Sequence, residues 1–485
     1  MKNPKSLVQF LLLCTCLCLG MGMKAEASEE IYPRFEDGDI VGFIGDSITH
    51  VVYRPLGYVE ILEQYYLSRF PEEHIEFRNL GAEGHRTCDM LNLYDADPAF
   101  RGLNKAVIML GTNEAILQNS AEEYTANLEA LIGKLTAGGI DSSDILLLSP
   151  PICDQYCAMN YDGNGNMRWT YEDKLLEYLE VLDAKTKQWG VAYLNYHGDM
   201  AALTEQIQQE DKRNTLTTDC IHPNATGHRL LAYYILQAQG LDAEPLSELS
   251  VSKQGEVQAL REELTDVYLG EIGMTGLLHS EALPIAAAQE VKDFQAFYRE
   301  AARMYGKPFV VEGLQETCSY NVFLGENLLG LFQGKELGEG IDLATIDTHP
   351  QQAAMERVHT LSKQRHQNTV SYRNMWVDIT MQRATYTQEQ ILARFQAWQA
   401  TDQALQQEMW QLVRDRVDDT FTVTILKEGY SLADLEQEKA QALERAREEE
   451  LAKRQAVTQA REKCEEQARR VAEALCSLLT WNFHP

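Results

Sequence analysis

The chain is short of positive charge. Lysine and arginine number 43 against 73 aspartates and glutamates, the formal net charge is −30, and no basic block interrupts the excess. Nucleic acid and anionic membrane surfaces are thereby excluded as partners, because a polyanion would be repelled. Long apolar runs are also missing. Beyond residue 27 no segment approaches the ~20 apolar residues of a bilayer span, so no stable membrane insertion is expected of the rest. Cysteine is sparse, 10 in 485 residues, and scattered. That spacing fits neither a disulfide framework nor a zinc site. Histidines and cysteines form no cluster at metal-ligand spacing, and no metal or other cofactor is expected. What remains is 45% apolar and 24% charged, an ordinary globular balance over a length that suits two or more domains.

The first 27 residues read as an export signal. Lys2 and Lys5 give a positive start, LVQFLLLCTCLCLG an apolar core, and Ala25-Glu26-Ala27 a small-x-small cleavage site. The expectation is a secreted, periplasmic or cell-surface protein, with an uncleaved anchor as the alternative. Cys14, Cys16 and Cys18 lie inside the core without the small-residue context of a lipidated cysteine. Cleavage would leave Cys88, Cys153, Cys157, Cys220, Cys318, Cys464 and Cys476, an odd set with at least one thiol unpaired. Cys153 and Cys157 flank a short loop and form the candidate pair; separate small hydrophobes are the other reading.

Residues 28–244 alternate short apolar runs with helical segments. DIVGFI (39–44), HIEFRNL (74–80), KAVIML (105–110), DILLLS (144–149) and VAYLNY (191–196) read as strands apolar on both faces, as in a sheet covered by helices. Between them, segments such as AEEYTANLEALIGKL and ATGHRLLAYYILQAQ carry apolar residues at helical spacing. Repeated strand–helix units imply a parallel sheet with right-handed crossovers, a three-layer α/β domain.

The texture then changes. Residues 245–307 read as a helical connector without strand alternation. Residues 308–345, with Val, Tyr and Phe around Gly-Glu-Asn and Gly-Lys turns, read as a small β-module. Residues 346–485 read as a charged helical region that ends in one long helix with opposite charges at i and i+4. It shows no clean a/d heptad. Nothing in it names a partner.

Four blocks in the α/β segment carry chemistry: GDSIT (45–49), NLGAEG (79–84), GTNE (111–114) and DCIHPN (219–224). Each alone is an ordinary turn, loop or helix cap. Their placement weighs more. Three stand at three successive strand ends, where open parallel sheets bind ligands, and the fourth holds the nearby Asp/His pair. Ser47 is a weak nucleophile until a base takes its proton. His222 titrates near neutrality and can be that base. Asp219, three residues earlier, can fix the imidazole tautomer. The backbone N–H groups of Ser47 and Gly84 and the Asn113 amide can supply an oxyanion hole, with a helix dipole behind Ser47. Asp46 is read as organising the turn, and Glu114 receives no catalytic role.

In that order, Ser47, Gly84, Asn113 and His222 resemble the four signature residues of the SGNH, or GDSL-type, hydrolases, and Asp219 matches that family's Asp-x-x-His block. The resemblance covers about residues 36–242. It implies a flavodoxin-like sheet of order 2-1-3-4-5 and a serine ester hydrolase with a Ser47–His222–Asp219 triad, an acyl-enzyme intermediate and no metal. Glu114 departs from the aspartate common after GTN. The region beyond 245 is faintly similar to accessory regions of bacterial esterases of this kind.

The loop CDQYCAMNYDGNGNMRW (153–169) is long and polar, with Tyr156, Tyr161 and Trp169 as candidate substrate contacts. Aromatic faces among Asn and Asp side chains suit sugars, and packing of the loop is the alternative. A short O-acyl ester of a small molecule or carbohydrate is the expected substrate. A lysophospholipase or short-chain lipase is the second reading. A binding or assembly protein with a vestigial hydrolase domain is a third, although none of the five signature residues is lost.

Overall fold

The computed structural model describes residues 31–481 except 55, 163, 243 and 418. The expected export signal lies outside the described residues. Five strands, β1 (Ile40–Gly45), β2 (Glu76–Asn79), β3 (Lys105–Met109), β4 (Ile145–Leu148) and β5 (Ala192–Leu194), form a parallel sheet of order β2-β1-β3-β4-β5. Each falls on a run read as a strand, with β1 reaching one residue past its run to Gly45, and the order is the one the resemblance implied. Alternation along the strands divides the core. Val41, Phe43, Val107, Met109, Leu146 and Leu148 pack into one apolar layer. Ile44, Ala106, Ile108, Ile145 and Leu147 pack into the other. Both faces are covered, which is why these strands carry no polar alternation.

The helices in this segment are α1 (Ser47–His50), α2 (Tyr58–Arg69), α3 (Thr87–Ala96), α4 (Thr112–Ile116), α5 (Ala121–Ala137), α6 (Glu172–Trp189), α7 (His197–Glu210) and α8 (Ala225–Ala238). Register fixes where the chemistry-bearing turns emerge. Gly45 pairs with Met109, so the turns after β1 and β3 leave the sheet side by side.

The C-terminal organisation corrects the reading above. The expected helical connector holds four strands: β6 (Glu248–Val251), β7 (Val257–Leu260), β8 (Glu262–Leu269) and β9 (Gly273–Ser280). Helices α9 (Ala288–Phe297) and α10 (Arg299–Ala302) follow. The expected β-module contributes β10 (Pro308–Val311), β11 (Ser319–Leu324), β12 (Asn327–Gln333), the short α11 (Gly334–Glu339) and β13 (Ile341–Asp342). It is not self-contained. One sheet runs β13-β10-β6-β7 and a second β12-β11-β14-β9-β8, where β14 (Thr420–Lys427) arrives from the region read as wholly helical. Residues of both sheets share one apolar core. The connector was misread because the β8–β9 register shifts between Thr265 and Tyr268, which blurs the period-two pattern. One of the two partners of β9, β14, also lies far along the chain, with Thr420 opposite His279, and strand preference depends on such context.

The long helices are α12 (Gln352–Thr380), α13 (Gln388–Val417) and α14 (Leu432–Trp481). The last is the expected charged helix, with Arg454–Glu450, Arg461–Glu465 and Arg470–Glu466 pairs at i,i+4. Helices α12 and α13 are no appendage. Tyr372, Met375, Trp376 and Trp398 belong to the same apolar layer as the hydrolase strands. Arg365 donates to both carboxylate oxygens of Asp402 (2.8 and 2.9 Å) and to the Phe77 carbonyl at 2.6 Å, and it pairs with Glu63. Arg373, fully buried, donates to the carbonyls of Gly81 and Leu80, each at 3.0 Å, and pairs with buried Asp97.

Truncating one member of such a pair strands the other charge. Arg373→Ala is expected to destabilise the fold by ~3–5 kcal/mol. Lys187→Ala, at an exposed pair with Asp183, should cost under ~1 kcal/mol. Denaturant midpoints of the purified variants check the contrast, and equal losses would remove the structural role given to Arg373.

Candidate active site

The turn after β1 is built by Asp46. Its carboxylate caps α1 by accepting the Ile48 N–H at 2.9 Å, and α1 ends after one turn with Val51 in the left-handed region. A single turn adds little dipole, so the dipole expected behind Ser47 is a minor effect. Asp46 is buried, and burial pushes its carboxyl up to about 7 against the opposing pull of the Ile48 N–H and His222.

The structure brings three of the expected residues into one line. Ser47 Oγ lies 2.9 Å from His222 Nε2, and His222 Nδ1 lies 2.7 Å from Asp219 Oδ2. Asp219 also accepts the backbone N–H groups of His222 (2.8 Å) and Ile221 (3.1 Å), which shapes the loop. Burial lowers the His222 pKa, but the hydrogen bond and charge of Asp219 outweigh it and the net shift is upward. Burial raises Asp219, while the bonds from His222 and Ile221 outweigh it and bring it down to about 2.

The second and third blocks also meet. Gly84 takes φ +72, a backbone conformation that favours glycine; a Cβ there would meet only the flexible end of Met381, at 2.9 Å. Asn113 Nδ2 donates to the His85 carbonyl at 2.9 Å. That bond uses one of two amide hydrogens and fixes where the other points. Glu114 is a brace: its Oε1 accepts the Thr87 N–H (2.5 Å) and hydroxyl (2.6 Å) at the start of α3. Burial raises its pKa, with the Thr87 bonds opposing.

Sequence reasoning missed the supports from α12. His366 hydrogen-bonds Glu60 at 2.8 Å and the Val51 carbonyl at 3.2 Å. Burial lowers its pKa, but the charge and hydrogen bond of Glu60 outweigh that and the net shift is upward. Glu60 also accepts the Gly57 N–H at 2.8 Å and the Asn79 amide at 3.3 Å, and Asn79 donates to Thr49 O at 2.7 Å. His85 Nε2 bonds Thr380 Oγ1 at 3.0 Å. The C-terminal region therefore holds both the turn that carries Ser47 and the second block. These partners lie about 300 residues away, and no local pattern marks them.

The pocket at Ser47 is about 260 Å³ and is lined by Ile48, Val51, Tyr53, Arg54, Pro223 and His228 as well as the triad positions. Tyr53 and Arg54 follow GDSIT on the same loop; that proximity was the one available signal for them. Tyr156, Tyr161 and Trp169 do not line it. Tyr156 and Tyr161 are exposed, and Trp169 packs edge-on to Tyr171. The expected Cys153–Cys157 pair is also corrected: Cys157 Sγ lies 2.6 Å from Cys220 Sγ, both buried. The loop turns back onto the Asp219–His222 segment, with the Asp154 N–H donating to the Cys220 carbonyl at 3.0 Å. Among the described residues no helix is long and apolar enough to cross a membrane, and no group of three or more His, Cys, Asp or Glu side chains is placed to hold a metal.

The model of the GDSL-like Lipase/Acylhydrolase family matches residues 43–230. Among curated proteins none matches. Among solved structures, BT4096, a gut microbial diltiazem-metabolizing enzyme, is similar at 17% identity and TM-score 0.67, covering 82% of this chain and 99% of its own. That likeness is one of fold, and it extends past the sheet domain into the C-terminal region. LAE5, an alpha/beta hydrolase enzyme from the metagenome of Lake Arreo, Spain, is 23% identical with TM-score 0.35, covering 42% of this chain and 97% of that one. Axe2, an acetylxylan esterase from Geobacillus stearothermophilus, is 21% identical with TM-score 0.35, covering 42% and 95%. All four blocks fall within residues 43–230, which form a GDSL-like lipase/acylhydrolase domain, that of an ester-bond hydrolase.

Proposed function

We propose that the chain hydrolyses short O-acyl esters, acetyl esters of carbohydrates first among them, with Ser47, His222 and Asp219 as its triad. The observation that carries this reading is the continuous pair of hydrogen bonds from Ser47 Oγ through His222 to Asp219. His222 Nε2 takes the Ser47 proton as Oγ attacks the ester carbonyl. Asp219 keeps the other ring proton on Nδ1 and stabilises the imidazolium. The tetrahedral oxyanion is met by the Ser47 and Gly84 N–H groups and the free Asn113 amide hydrogen. Collapse expels the alcohol, which takes its proton from His222 and leaves acyl-Ser47. Water, deprotonated by the same histidine, then releases the acid. A pocket of about 260 Å³ at Ser47 supports a small ester group, since it is small beside the ~300–1,000 Å³ of common ligand sites.

The direct test is Ser47→Ala assayed on p-nitrophenyl esters of graded length and on acetylated oligosaccharides. Turnover should fall to background with the fold intact, and the wild type should favour acetyl and butyryl esters. Substantial residual activity in the folded variant would sink the nucleophile, and a higher kcat/KM on a C12 ester would move the reading to a lipase.

Asn113 separates catalysis from structure. Asn113→Ala should cost ~2.7–4 kcal/mol of transition-state stabilisation, or ~10²–10³ in kcat, with little change in KM. Asn113→Asp should be at least as damaging, because it places an acceptor and a negative charge where negative charge develops. Near-normal kcat in the Asp variant would refute the role.

The base must be neutral to act, and Asp219 raises the His222 pKa. The acidic limb of the kcat/KM profile is therefore expected above the ordinary histidine value of ~6.5. Asp219→Asn removes the raising charge, so the limb should move to lower pH as kcat falls by up to ~10⁴. A limb that stays in place in the variant would contradict the coupling.

A further inference from the structure

Beside the catalytic pocket lies a second cleft of about 440 Å³. One wall is the loop after α1, with Val52, Tyr53 and Arg54; the other is α12, with His366, Gln367, Val370, Ser371 and Asn374. Tyr53 and Arg54 line both cavities, so the two spaces meet across these side chains. Gln367, Ser371 and Asn374 stand at i, i+4 and i+7 of α12 and form one exposed stripe. Their helical neighbours Arg365, His366, Thr369, Arg373 and Trp376 are buried against the hydrolase domain. The stripe offers two amides and a hydroxyl, and no charge.

Arg54 is partly buried, and among the described residues no carboxylate forms an ion pair with it. Its five N–H donors are held between the two cavities. The imidazole of the cleft, His366, is already engaged by Glu60. Tyr53 is 73% exposed, and its hydroxyl donates to Glu83 at 2.9 Å, which steadies the ring. The ring centre lies 6.1 Å from that of His222.

We infer that this cleft receives the leaving alcohol and that the alcohol is a neutral polyhydroxylated one, a sugar unit of an acylated oligosaccharide. The inference rests on the ester-hydrolysis reading above and deepens it. Direction follows from proton transfer. His222 must hand its proton to the departing oxygen, so the alcohol lies on the His222 side of Ser47. That side is the pocket that Tyr53 and Arg54 continue into the cleft. Chemistry follows from the lining. Amides, a hydroxyl and a guanidinium match sugar hydroxyls, and an aromatic face matches the C–H face of a sugar ring. A lipid alcohol would call for an apolar channel, whereas among the described residues Val52 and Val370 are the only aliphatic side chains in this lining. The chain's net charge of −30 disfavours an acidic glycan. The sugar contact thus moves from the 153–169 loop to α12, and the C-terminal region gains a role in selectivity as well as support.

The test uses the full chain. The ratio of kcat/KM on a neutral acetylated oligosaccharide to that on p-nitrophenyl acetate is measured for the wild type, for a Gln367→Ala/Asn374→Ala double variant and for Ser371→Trp, which fills the cleft. The ratio should fall about tenfold or more in both variants. The Ki of the deacetylated oligosaccharide against p-nitrophenyl acetate should rise in parallel. An unchanged ratio in both, with p-nitrophenyl acetate still turned over, would overturn the subsite and leave ester hydrolysis standing. A wild type that prefers an acetylated uronate oligosaccharide would overturn the neutral-sugar assignment. Absence of turnover on every ester would strike at the underlying reading itself.

Discussion

A buried guanidinium has to have its donors met, and the way Arg373 meets them sets the architecture of this enzyme. It sits on α12, near the end of a chain segment that could have been a separate domain. Its partners are the carbonyls of Leu80 and Gly81 and the carboxylate of Asp97, all in the hydrolase domain. The carbonyls belong to the block that ends in Gly84. Removing water from that charge is tolerable only while these acceptors stay in place, so the second block and α12 hold each other. Arg365 and His366 repeat the arrangement at Glu63, Asp402 and Glu60. The loops around the serine are thus held from behind by the C-terminal half of the protein.

This support matters because the site is assembled from distant pieces. Ser47 and His222 are 175 residues apart, yet Oγ and Nε2 stand at 2.9 Å. Each piece has its own local anchor: Asp46 for the nucleophile turn, the His85 carbonyl for Asn113, and the Ile221 and His222 backbone N–H groups for Asp219. Preorganisation of this kind lets a weak nucleophile and a modest base act, because little reorganisation remains when charge develops. Glu114, which looks like a departure from the family pattern, belongs to the same scaffold through Thr87.

Much of the sheet domain was legible. Five apolar runs separated by helical spacings led to β1–β5, because each strand is buried on both faces and its pattern is local. The four blocks at strand ends led to Ser47, Asn113, Gly84 and the Asp219–His222 pair, because turn chemistry is also local. Legibility failed where the local pattern was blurred or the partner was remote. Strands β6–β7 and β8–β9 pair with their chain neighbours, the latter with a register shift, yet were taken for a helical connector; β14, which pairs with β9 and β11 in the second sheet, was taken for helix. The thiol nearest Cys157 proved to be Cys220 rather than Cys153. Tyr156, Tyr161 and Trp169 had suitable side chains in a suitable loop, but none lines the pocket.

The sequence by itself determined the parallel α/β core and the residues capable of acyl-transfer chemistry. Both depend on side-chain periodicity and turn geometry within a few residues. Only the tertiary structure decided that α12 is part of the hydrolase, that Tyr53 and Arg54 join two cavities, and that the C-terminal strands close into shared sheets. Those outcomes depend on which buried charges and unpaired backbone groups find acceptors across hundreds of residues. A buried arginine or an open strand edge must be satisfied somewhere, but nothing in its own neighbourhood says where.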